Sequence, residues 1–247
     1  MSRLIQLCCA WAGSVFFVLY VIAFVGFARF VPPPAPSWDA VRIDALFTEH
    51  AIQIRAGMVL GLIATALLIP FFAVISVQIA RIERRLPVLA LIQFGGAVLL
   101  IVFFQLCGML WIAATFRSEL DSSTVRVLND LSWLIFVMVF PGYVLQLFCI
   151  ALASFMDRTA APIWPRWVGY LNVSVALCGE GGAIAAFFKQ GPFAWNGIIG
   201  FYIPIVAFVV WIGVMTYHLH KGINRQFAET PEAIRAPGRT GDNVGVR

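Results

Sequence analysis

Apolar residues in this chain run in long blocks, and the polar residues fall between them. The blocks cover about 4–28, 54–80, 86–116, 125–156, 164–188 and 197–219. Each reaches the ~20 residues that a helix needs to cross a ~30 Å hydrocarbon core. The first block follows Met1-Ser2-Arg3 and continues without a polar cleavage region to Phe30. That is too long for a signal-peptide core of ~7–15 residues, so it predicts an uncleaved first span.

The intervening segments punctuate the spans. Pro32-Pro33-Pro34-Ala35-Pro36 ends the first, because proline cannot donate to a helix and favours an extended chain. Residues 37–53 mix Val41, Ile43, Leu46 and Phe47 with Arg42, Asp44, Glu49 and His50. They predict an amphipathic helix along the outer interface or over the bundle mouth, capped by Ser37 with Asp39 in its first turn. Ser123 or Thr124 is placed to cap the fourth span, Pro165 to open the fifth and Asn196 to cap the sixth. Pro70, Pro141 and Pro204 lie inside the second, fourth and sixth spans, where each frees a carbonyl that must find another partner. Residues 222–247 are polar and rich in Gly, Pro and Arg, and read as a disordered cytoplasmic tail after a membrane domain of 1–221. The predicted fold class is all-α: a polytopic helical bundle of six transmembrane helices with one interfacial helix.

Composition agrees with this reading. The chain of 247 residues is 61% hydrophobic and 12% charged, about half the charge of a soluble protein. Its +5 net charge is a topology signal before it is a nucleic-acid signal, since the basic residues are scattered without interleaved aromatics. Eight basic residues near the inner ends, Arg3, Arg81, Arg84, Arg85, Arg158, Arg166, Lys221 and Arg225, against six near the outer ends, Arg29, Arg42, Arg55, Arg117, Arg126 and Lys189, predict cytoplasmic termini. Trp164, Trp167 and Trp195 bracket the fifth span and read as interfacial anchors.

Candidate chemistry is sparse. Glu180, in Cys178-Gly179-Glu180-Gly181-Gly182, is the one acidic residue placed within the hydrocarbon, roughly 6 Å past the midplane of a continuous helix. A carboxylate there is costly unless protonated or paired. Gln93 and Gln105 on the third span, Gln146 on the fourth, and Asn172 on an adjoining face of its own helix are candidate partners. Together they could form a proton or cation relay or orient a ligand; the alternatives are a structural carboxyl, or a glutamate turned outward by a helix broken at the glycines. His50, His218 and His220 do not pair at ligand spacing and are expected to be solvated. No Gly-x-Ser-x-Gly elbow, phosphate loop or mid-membrane lysine is present. No catalytic residue, metal site or cofactor is assigned, and the five cysteines read as packing residues.

Some stretches carry a resemblance. These are Ile54-Arg55-x-Gly57, Leu128-Asn129-Asp130-Leu131-Ser132-Trp133, Pro165-Arg166-Trp167-Val168-Gly169-Tyr170-Leu171-Asn172, and Phe187-Phe188-Lys189-x-Gly191-Pro192-Phe193-Ala194-Trp195-Asn196-Gly197. Over about residues 30–217 the chain resembles an uncharacterised family of bacterial multi-span membrane proteins. The resemblance implies a bacterial inner membrane and carries over no site. The leading expectation is a membrane protein that binds or transports a small lipophilic molecule. The alternatives are an accessory subunit, associating with a membrane-protein partner or with itself, and a membrane enzyme acting on lipids or sterols. The bilayer is the one constant partner, and nucleic acid is not expected.

Overall fold

A computed structural model describes residues 2–83 and 85–235. Six helical spans, Arg3–Phe27, Ala51–Glu83, Val88–Phe116, Ser122–Met156, Arg166–Phe187 and Ile198–Ala228, are long and apolar enough to cross a membrane. Large apolar side chains such as Leu91, Leu177, Ile63 and Val206 face outward, where an aqueous protein would place charge. The chain is an all-α, multi-pass membrane protein.

The spans form a closed ring in chain order. Helix α1 (Arg3–Val21) continues as a π-helical segment, Ile22–Phe27. After α2 (Ala40–Glu49), helices α3 (Ala51–Ala66) and α4 (Leu68–Glu83) make the second span. The third is α5 (Val88–Phe116), and the fourth is α6 (Ser122–Val137) with α7 (Phe140–Met156). The fifth is α8 (Arg166–Gly179) with two 3-10 turns, and the sixth is a π segment, Ile198–Tyr202, leading into α9 (Ile203–Arg235). Helix α5 packs between α3–α4 and α6–α7, α8 packs on α7 and α9, and α9 returns to α1. Phe16, Phe72, Trp211 and Phe208 fill the middle of the ring.

Three interruptions follow from proline chemistry. A proline at position i removes the bond to the carbonyl of i−4 and crowds it. Pro70, Pro141 and Pro204 thereby act on Ala66, Val137 and Gly200. The chain breaks at Leu67 and at Met138–Val139, and the turns from Ile198 to Tyr202 widen to a π-helix.

The two ends of the ring differ. At the terminal end, which holds Ser2 and the later part of α9, the Arg3 Nε donates to Asn224 Oδ1 at 3.0 Å. Beside it the Gln78 amide donates to Gln6 Oε1 at 3.2 Å, and Arg81 donates to Gln78 Oε1 and Gln226 Oε1. The expected disorder from residue 222 is therefore corrected for 222–235. Ile223 is fully buried and Phe227 packs on the core one turn later, so the apolar stripe outlasts the span. Residues 236–247 lie outside the described part. At the far end, α2 covers the bundle mouth by packing on α6, with Ile43 and Phe47 buried.

Several caps differ from expectation. Asp39, not Ser37, caps α2 by accepting from the Arg42 N–H at 2.8 Å. Asp121 rather than Ser123 or Thr124 caps α6, because its carboxylate accepts from the Thr124 N–H. Gly197, not Asn196, precedes the sixth span. Two of the three expected anchor tryptophans are interior: Trp164 is buried, and Trp195 is buried with its indole N–H donating to Pro34 O at 2.8 Å. Only Trp167 faces outward.

Candidate functional site

The fifth span is the least helical of the six. Helix α8 ends at Gly179, and Glu180–Gly182 and Ala185–Phe187 form separate 3-10 turns. At 1.5 Å per residue, α8 rises only about 20 Å, so its end lies inside the bundle, toward the far end. The glycines there permit three close approaches. A Cβ on Gly179 would stand 3.2 Å from the Tyr143 ring, one on Gly181 would overlap the Ile199 carbonyl, and one on Gly182 would overlap the Val137 carbonyl. Val137 sits at the break of the fourth span and Ile199 at the π segment of the sixth. The interruptions of three successive spans therefore meet at one level.

A cleft opens where they meet. Its cavity volume is about 70 Å³. Its walls are apolar, with Phe104 from α5, Val139 from the break before α7, Tyr143 from α7, Gly179 from α8, and Ile205 and Phe208 from α9. The Tyr143 hydroxyl is buried without a hydrogen-bond partner among the described residues. A buried donor left unpaired is a costly arrangement. Irregular backbone at membrane depth is tolerated where it is enclosed by protein or lines a cavity, and this cleft meets that condition.

The residues singled out from sequence do not assemble around Glu180. Its side chain is exposed on the outside of the bundle and makes no hydrogen bond or ion pair with a described residue. The reason is the break at Gly179: a tighter 3-10 turn rotates the next residue off the face that a continuous helix would give it. Gln93 and Gln146 bond each other instead. The Ser76 hydroxyl donates to Gln93 Oε1 at 2.5 Å, and the Gln93 amide donates to Gln146 Oε1 at 3.3 Å. This chain joins α4, α5 and α7 beside Gly96 and Gly142, whose backbones touch. Asn172 donates to Val168 O and accepts from the Trp211 indole, both at 2.8 Å, tying α8 to α9. Gln105 is half-buried and makes no hydrogen bond with a described residue.

Among the described residues, no group of three or more His, Cys, Asp or Glu comes together to hold a metal. His218 is not solvated as expected: it is buried with its ring against Trp167 and Tyr217. Two features escaped the sequence reading. Tyr143 was masked by its apolar context, although the adjacent Pro141-Gly142 marks a break that could have drawn attention to it. The glutamine set at the terminal end was missed because Gln226 lies beyond the predicted span.

Comparison with known proteins adds no identity: no family model, no curated protein and no solved structure matches the chain.

Proposed function

We propose that this is a bacterial inner-membrane protein that binds or moves a small lipophilic molecule in the cleft where its three broken spans meet. The carrying observation is that cleft, lined almost wholly by apolar side chains, Phe104, Phe136, Ile205 and Phe208 among them. Arg81, Arg158 and Arg225 at the terminal end support cytoplasmic termini, and a reporter fused after Arg247 that works only outside the cytoplasm would reverse this.

The test is purification in mild detergent, followed by mass spectrometry of the organic extract. Wild-type protein should carry a lipophile that Ile205→Trp, which fills the cleft, excludes. Val206→Trp, on the outward face beside it, should retain the lipophile. Equal retention by both variants would remove the reading. A second reading, an accessory subunit, is favoured by Gln93, Gln146 and Asn172, whose hydrogen bonds hold helices together. Stoichiometric co-purifying subunits with no lipophile would support it.

A further inference from the structure

Two depressions at the far end share one residue. The first is a polar cleft of about 280 Å³ between α2, the start of α3 and the end of α5, lined by Asp44, Thr48, Arg55, Arg117 and Ser118. The second is a shallow apolar groove down the outer face of α3, formed by Ile52, Ala56, Val59, Leu60 and Ile63 with Arg55 at its head. These positions repeat at the three- and four-residue spacing of one helix face. From Ile52 to Ile63 the groove is about 16 Å long, close to the ~15 Å depth of one bilayer leaflet.

The charges at the head of the groove are partly committed. Arg117 pairs with Glu119 at 3.3 Å. Arg55 donates its Nε to Ala51 O at 3.3 Å, and its terminal N–H groups have no partner among the described residues. Asp44 accepts from Ser122 through Oδ2, which leaves Oδ1 open. An open guanidinium fork suits a phosphate, and an open carboxylate in the same cleft suits a primary ammonium.

We propose that this seam binds a phospholipid with an ethanolamine headgroup. Its phosphodiester meets Arg55, its ammonium meets Asp44, and one acyl chain lies along the α3 groove. The site is separate from the cleft near Tyr143 and does not depend on it. It makes α3 a lipid-bound face of the bundle and turns the half-buried Arg55 into a reader of headgroup chemistry.

Native mass spectrometry of detergent-solubilised protein tests this, with phosphatidylethanolamine, phosphatidylglycerol, a neutral galactolipid and free phosphoethanolamine titrated separately. Wild-type protein should retain phosphatidylethanolamine most strongly, and Arg55→Gln should lower that retention about tenfold, the effect of losing one charge-assisted contact. Asp44→Asn, which can still accept from Ser122, should abolish the preference over phosphatidylglycerol. Val59→Trp should weaken retention of every lipid by blocking the groove. Melting curves confirm that each variant is folded. Unchanged retention in Arg55→Gln overturns the proposal. So does an equal or greater affinity of wild type for phosphatidylglycerol or the galactolipid, or binding of free phosphoethanolamine as tight as that of the lipid.

Discussion

Replacing Gly182 by alanine adds one methyl where the fourth and fifth spans touch. The added Cβ would overlap the Val137 carbonyl oxygen, a backbone atom that cannot rotate away. Pro141 has removed the N–H that would have drawn that carbonyl back into its own helix. The methyl therefore forces the 3-10 turns away from the break, at a cost of about 1–3 kcal/mol for overpacking. Gly182 does not use a left-handed conformation, so the local backbone gain from Gly to Ala, about 0.4–1 kcal/mol, opposes this. The net expectation is a loss of roughly 1–2 kcal/mol, or about 2–8 °C in Tm at this chain length. The assay is thermal unfolding in detergent followed by intrinsic tryptophan fluorescence. Gly95→Ala is the control, because nothing lies within 4 Å of its Cβ, and it should hold or raise Tm by up to about 1 kcal/mol equivalent. If Gly182→Ala melts at or above wild type, the close approach of the two breaks is refuted.

Other expectations follow from the same contacts. Glu180→Gln should change stability by no more than about 0.5 kcal/mol, the range of an exposed position without partners; a larger drop in the melting curve would place the carboxylate in an interaction that its exposure denies. Gln93→Leu removes the middle of the Ser76–Gln93–Gln146 chain and leaves buried groups unsatisfied, with an expected loss of about 1–3 kcal/mol in unfolding experiments. Hydrogen bonds from Ser123 and Thr124 hold the Asp121 carboxyl well below the usual carboxylate range. A depressed pKa gives stability that is present above the unfolded value, near pH 4, and fades as pH falls below it. The Tm gap between wild type and Asp121→Ala should therefore be constant from about pH 7 to 5 and narrow progressively as pH falls below about 4. A gap unaffected by pH would contradict this capping role.

The six spans were legible because crossing a membrane demands long apolar runs, and the breaks at Pro70, Pro141 and Pro204 were legible because proline acts on a fixed carbonyl. Side-chain direction was not. In α3 nearly every residue is apolar, so nothing in the sequence separates buried Ile54 and Met58 from outward Val59 and Ile63. Glu180 illustrates the second limit: its direction depends on where α8 stops, and that is set by how Gly179, Gly181 and Gly182 meet Tyr143, Ile199 and Val137. Gln93 and Gln146 were identifiable as buried polar groups, but their pairing needed the α5–α7 approach at Gly96 and Gly142.

The contact between α1 and α9 also bears on how the protein is made. The face of α1 that carries Gln6, Ala10 and Phe16 is covered by the second and sixth spans, and Ser14 donates to Thr216 at 3.2 Å. At ~5–20 residues per second of synthesis, about 200 residues separate these partners, so the first helix waits roughly 10–40 s in the bilayer for the last. Until α9 arrives the ring is open on one side, and α1 holds its place through α3, α4 and the Phe104 ring of α5. A chain cut before Ile203 would leave that seam open to lipid, so the ring closes only when α9 arrives.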